Sequence, residues 1–296
     1  MLTKFRLTPA LVMGASTLAV ATLAHGQAIT DVLVRNGAGT TIANNVRSFD
    51  ENEAGSGLAV GFAPTIGNTF SFLYQANVVA FNDSLGQTIT PLAGLNQAFA
   101  SGGYEFTVVA RITEQVTGVS SSGGMTTATF AATGGTASIF FDNATSGGVK
   151  SVTSTGTGFD DGHLVGLFDV IAGTGVSNFT TFADGTGLGA TKYDFNVRVG
   201  STVDASYISG LLGAVGDLHF TSSQVLPPGT SLTTAFHTGA PTGSPDLYPT
   251  TPVGNGLLLK VDGSNTFTTA VPEPETYALM LAGLGAIGFM VRRRRR

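Results

Sequence analysis

Strict alternation is the feature that most limits what this chain can fold into. In Tyr104 to Thr113, Tyr104, Phe106, Val108, Ala110 and Ile112 share one face, while Glu105, Thr107, Arg111 and Thr113 share the other with Val109. In Lys192 to Val199, Tyr193, Phe195, Val197 and Val199 alternate with Lys192, Asp194, Asn196 and Arg198. A period of two with one apolar and one polar face predicts half-buried strands of an antiparallel sheet. Phe70 to Phe81 carries the same pattern, with Phe70, Phe72, Tyr74, Ala76 and Val78 on one face. Ala137 to Phe141, Leu164 to Ile171 and Leu257 to Val261 are strand-like, and Ile29 to Arg35 and Leu218 to Thr221 are weaker versions. Turn signals separate these runs: Ser101-Gly102-Gly103, Ser121 to Gly124, Gly134-Gly135, Gly147-Gly148, Asp161-Gly162 and Asp184-Gly185. The expected fold is all-β, an antiparallel β-sandwich or barrel-like sheet stack. One helix is expected, Ala205 to Ala214, weakened by Gly210 and Gly213; Thr238 to Pro252 reads as a long surface loop.

The two ends stand outside this pattern. Lys4 and Arg6 precede a mostly apolar stretch from Leu11 to Ala24, and small Ala24 and Gly26 stand before Gln27. Basic start, apolar middle and small end are the order of a secretory signal peptide, residues 1–26. At the other end, Val271-Pro272-Glu273-Pro274-Glu275 precedes an apolar run from Tyr277 to Val291 and five arginines, Arg292, Arg293, Arg294, Arg295 and Arg296. The run spans roughly 22 Å as a helix, against a hydrocarbon core of about 30 Å, so it makes a short transmembrane helix. The arginines would stop it on the cytoplasmic side and snorkel to offset the shortfall. Gly283, Gly285 and Gly288 keep one side small enough for a partner helix.

That order of motif, helix and basic tail resembles the PEP-CTERM sorting domain of Gram-negative bacteria, here 271–296 with the motif at Pro272, Glu273 and Pro274. The resemblance implies recognition by an exosortase, a membrane protease-transpeptidase, after transient inner-membrane insertion. Cleavage near the motif and transfer to the cell surface or extracellular matrix would follow, commonly beside exopolysaccharide production. The two prolines keep the segment extended, as a protease cleft requires.

Between the ends, residues 27–270 form the expected β-rich extracytoplasmic domain, with no boundary strong enough to divide it. The chain has no cysteine, so an exported domain must rest on core packing, which 244 residues permit. Thiol catalysis and thiolate metal sites are excluded with it. The whole chain carries −5, but residues 27–270 hold 7 Lys and Arg against 17 Asp and Glu, about −10. Nucleic acid and anionic membrane surfaces select basic patches, so neither is an expected partner. Absence of Trp weakens a stacking type of sugar site, leaving Tyr and Phe for that role.

Catalytic signatures are missing. There is no Gly-x-Ser-x-Gly, no His-Glu-x-x-His and no phosphate loop. His163, His219 and His237 are far apart in sequence and each reads as solitary. The best polar cluster is Phe159-Asp160-Asp161-Gly162-His163. Asp160 and Asp161 before a glycine turn, with Asp142 after the strand ending at Phe141, could offer oxygen ligands to Ca²⁺; the simpler reading is an Asp-Gly turn with solvated carboxylates. Asp50, Glu51 and Glu53 lack Ca-loop spacing and read as a solvated loop.

Three functions remain open. One is a non-enzymatic surface or matrix protein that promotes aggregation, flocculation or biofilm with exopolysaccharide. The body is similar to flocculation-associated PEP-CTERM proteins of floc-forming bacteria over Tyr104–Val116, Ala137–Asn143 and Thr155–Leu167, which implies a role in floc formation. The second is a carbohydrate- or Ca-binding surface module. The third is a secreted polysaccharide hydrolase, for which nothing in sequence selects two of the 17 carboxylates.

Overall fold

The structure is a computed structural model that describes residues 32–181, 187–211, 214–226, 236 and 256–269. The signal-peptide segment, Thr238–Pro252, the Asp184-Gly185 turn, His237 and the whole C-terminal sorting segment lie outside the described residues.

Among the described residues twelve strands run in chain order: β1 Val32–Arg35, β2 Thr41–Val46, β3 Ser48–Glu51, β4 Gly55–Val60, β5 Thr69–Asn82, β6 Tyr104–Ser122, β7 Met125–Asn143, β8 His163–Thr181, β9 Gly187–Val203, β10 Ile208–Ser209, β11 Ala214–Leu226 and β12 Gly256–Thr269. Each strand from β5 to β9 pairs antiparallel with the next, β9 pairs with β11, and β11 with β12. β3 and β4 then lie end to end between β12 and β5, bonded to both. The circuit is closed: eight stave positions make an up-and-down antiparallel barrel with no free edge around it. Of the sandwich and barrel expected, the structure is the barrel. A separate sheet, β10-β1-β2, is joined to the end of the barrel where β5 and β9 finish.

The interior is made by the alternating faces. Phe70, Phe72, Tyr74, Ala76 and Val78 of β5 join Phe106, Val108, Ala110 and Ile112 of β6 and Tyr193, Phe195, Val197 and Val199 of β9 in one buried cluster. Along β9, Thr191 to Val199 alternates buried and exposed without a break. Phe62, Phe70, Phe130 and Phe179 close one barrel end in edge-to-face contacts with centroids 5.2–5.7 Å apart. Val32, Val34, Val46, Ile208 and Leu211, on or beside the small sheet, join the same core. An eight-strand barrel is just wide enough for side chains to fill. Here the cavity between Val108, Ile139, Phe168, Asn265 and Phe267 measures only ≈10 Å³, about the space of one water.

Four expectations need correction. Over the described residues 205–211 and 214 the expected helix is absent: they are a turn, the short β10 and the first residue of β11. Ile208 pairs with Val34 of β1, so the backbone is drawn into a strand bridge instead of a helical turn. Gly134-Gly135 is not a turn between strands but a point inside β7 where the register with β6 shifts. A Cβ at Gly135 would sit 2.7 Å from the Ile112 Cα, so glycine permits close strand approach there. Asp50 and Glu51 are on β3, not in a solvated loop, and Glu51 is 2% exposed. Finally, the outer face of β6 is not all solvated. Glu105, Thr107 and Val109 are buried because the loop between β7 and β8 folds over them, placing Phe159 beside Val109, Phe140, Leu58 and Leu73.

Candidate functional site

The β7–β8 loop, residues 144–162, forms the most unusual chemistry in the described residues. It is anchored by Phe159, whose carbonyl accepts a hydrogen bond from Thr107 Oγ1 at 2.6 Å, and its segment 150–151 binds Glu105. That carboxylate, with no exposure, accepts from Asn77 Nδ2 (3.0 Å), the Ser151 amide (2.7 Å), Ser151 Oγ (2.8 Å) and Lys150 Nζ (3.1 Å). Three of these donors reach Oε2 and one Oε1, so both oxygens of the buried carboxylate are partnered.

Asp142 is the residue directly opposite Glu105 in the β6–β7 register and is 2% exposed. Its Oδ1 accepts from the Asn143 amide at 2.8 Å and from Ser146 Oγ. Its Oδ2 is buried without a hydrogen-bond partner, as is Oδ1 of Asp161; Asp161 Oδ2 accepts from the Val149 amide at 3.1 Å. Both orphan oxygens crowd the place where a Cβ on Gly148 would stand. Asp160, also 2% exposed, adds a third aspartate to the same turn. Burial pushes Asp142 up to about 7; the Asn143 and Gly148 amides oppose this, and the neighbouring Asp161 and Glu105 charges reinforce it. Asp161 is raised chiefly by burial, against the pull of the Val149 amide. So the structure brings Asp142 and Asp161 together and places Asp160 beside them. Among the described residues, no three His, Asp or Glu side chains form a ready-made metal cage. Sequence reasoning missed Glu105, whose position opposite Asp142 is visible only in the strand register.

A second polar site is inside the barrel. Glu51 Oε2 accepts from the Tyr74 hydroxyl at 2.6 Å and Oε1 from Asn265 Nδ2 at 2.8 Å. A Cβ at Gly263 would overlap the Glu51 and Tyr74 oxygens, so the strand needs glycine beside them. Burial raises Glu51 to about 7 against these two hydrogen bonds. Outside it, Asp50, Glu53 and Asp262 line an open acidic pocket of ≈340 Å³.

His163 and His219 are not solitary, contrary to expectation. His163 Nε2 lies 2.8 Å from Asp204 Oδ2 and its ring stacks on Tyr207; His219 Nδ1 lies 2.5 Å from Asp194 Oδ1. Each pairing joins residues from different strands or loops, which sequence spacing cannot show. At the barrel end carrying the small sheet, a groove of ≈360 Å³ is lined by Asn36, Thr41, Leu92 and Tyr104, with no charged side chain on its walls.

Val271, Pro272, Glu273, Pro274 and Arg292–Arg296 lie outside the described residues. Among the described residues no helix is long and apolar enough to cross a membrane. Neither the curated proteins nor the solved structures include a match to the chain. The family described as the PEP-CTERM protein-sorting motif does match, over residues 270–296. That motif marks an exported protein, held transiently in the membrane and processed by an exosortase on its way to the cell surface. The chain is therefore a PEP-CTERM domain-containing protein, with a β-barrel body ahead of its sorting motif.

Proposed function

We propose that this protein is a non-enzymatic surface or matrix component that promotes cell aggregation, flocculation or biofilm together with exopolysaccharide. The observation that carries the reading is the sorting motif at 270–296 attached to a barrel whose interior is packed with side chains. A filled barrel offers its outside, and this outside is polar: Thr117, Ser121, Thr129 and Thr133 are exposed along β6 and β7. Hydroxyl-rich, weakly charged surface suits contact with hydrated glycans more than with nucleic acid or anionic lipid. The uncharged groove beside Tyr104 is within the usual size range of small-ligand sites, about 300–1,000 Å³, and supports a neutral sugar segment as its occupant.

The test is deletion of the gene in its host, followed by settling measurements. Complementation would use the full chain and a chain ending at Ala270. Loss of settling, restored only by the full chain, is the expected result. Unchanged settling in the deletion strain would overturn the aggregation role, and full rescue by the shortened chain would overturn the need for sorting.

A further inference from the structure

We propose that the β7–β8 loop closes over a calcium site in which Asp142 and Asp161 supply carboxylate ligands. The inference does not depend on the aggregation reading. It starts from the sheet register: Glu105 and Asp142 face each other directly across β6 and β7, and both are buried. Like charges at directly opposed positions destabilise a sheet, so each needs compensation. Glu105 has it in Lys150, Asn77 and Ser151. Asp142 has only neutral donors: the Asn143 amide and Ser146 Oγ on Oδ1, and the nearby Gly148 amide.

The remaining oxygen is the informative one. Asp142 Oδ2 is buried with no hydrogen-bond partner, and so is Asp161 Oδ1. Buried polar atoms in native proteins are almost always partnered, and exceptions point to an ion or water. Both orphan oxygens converge on the hydrogen face of Gly148, where a Cβ would overlap Asp142 and lie 2.9 Å from Asp161 Oδ1. Glycine thus lets the two carboxylate oxygens approach the same point of the loop backbone. Glu105, Asp142 and Asp161 gather three carboxyl groups beside the one ammonium of Lys150, an imbalance that a divalent cation reduces.

The donor set selects the ion. It consists of oxygens only, since His163, the nearest imidazole in sequence, bonds Asp204 instead. Two carboxylates do not make a cage, so backbone carbonyls of the loop and water complete the shell. Calcium accepts six to eight such irregular oxygens, whereas magnesium demands near-ideal octahedral geometry. A site with few charged ligands belongs to the weaker extracellular class, with Kd of about 0.1–1 mM. Its effect is to fasten residues 144–162 to the barrel wall.

The test uses the full-length chain in detergent, stripped with EGTA and titrated with CaCl₂ by calorimetry, with thermal unfolding in parallel. The expected result is one Ca²⁺ per chain and, at 100 times Kd, a roughly 100-fold rise in the folded-to-unfolded ratio. Asp142→Asn and Asp161→Asn each remove a buried charge, so they raise Tm without calcium and abolish the calcium-dependent rise. Asp262→Asn, in the other acidic pocket, leaves the response intact. Gly148→Ala drives a methyl against both ligand oxygens while leaving the two aspartates in the sequence, and it also abolishes binding, which keeps the test decisive if an aspartate variant fails to fold. No calcium response in the parent chain, or stoichiometric binding by folded Asp142→Asn or Gly148→Ala, would overturn the site.

Discussion

Replacing Glu51 by Gln tests the account of the barrel interior. Glu51 is 2% exposed, so solvent screening does little, and burial lifts it from 4.5 to about 7. Its folded value therefore lies above its unfolded value. The stability it contributes is fully present below pH 4.5 and is lost as pH rises through about 7. At 1.36 kcal/mol per tenfold change, the loss is about 3 kcal/mol above pH 7. Gln removes the ionisation but keeps the shape. Its oxygen accepts from Tyr74, and its amide donates to Asn265 Oδ1 once the Asn265 amide turns over, since Nδ2 is the atom that faces Glu51 in the parent chain. The assay is denaturant unfolding of both proteins from pH 4 to 9. Subtracting one curve from the other cancels Asp142, Asp161 and every other shared group. The two proteins should agree within about 1 kcal/mol at pH 4. The variant should gain with rising pH and level off about 3 kcal/mol more stable above pH 7. Parallel curves, or a variant less stable at pH 8 than at pH 4 relative to the parent, would refute burial as the cause.

Three other outcomes are expected. Gly263→Ala drives a methyl into the Glu51 and Tyr74 oxygens; the overpacking should cost about 1–3 kcal/mol in chemical unfolding, with the far-UV spectrum unchanged. Phe159→Ala empties the contact between the β7–β8 loop and the outer wall, costing about 3–5 kcal/mol and exposing residues 144–162 to limited proteolysis while the barrel core stays resistant. Replacing Pro272, Glu273 and Pro274 together by Ala should leave an unprocessed, membrane-associated precursor on immunoblots; normal processing of that variant would show that the motif is not what the protease reads.

The contrast between legible and illegible parts follows from the range of the forces involved. Strand positions were legible because burial on one face writes a period of two into neighbouring residues. Tyr104–Thr113 and Lys192–Val199 both fall inside the strands observed. The helix expected at Ala205–Ala214 failed because local propensity there is weak and tertiary burial of Ile208, Leu211 and Ala214 decides the backbone. Glu51 was misread for a similar reason. An acidic run looks solvated in sequence, and only the closure of the barrel puts Tyr74 and Asn265 around its middle carboxylate.

The sequence by itself determined the strand class, the acidic cysteine-free body and the sorting address, because each is written in contiguous residues. Only the tertiary structure decided that the sheet closes on itself and that the inward faces of its described strands meet in one core. It also decided that Glu105 stands opposite Asp142 with Asp161 brought over by a loop. Closure and register are sums of many weak pairings between distant segments. A slip of one residue would reverse every face, and no local pattern records which strand an alternating segment will meet.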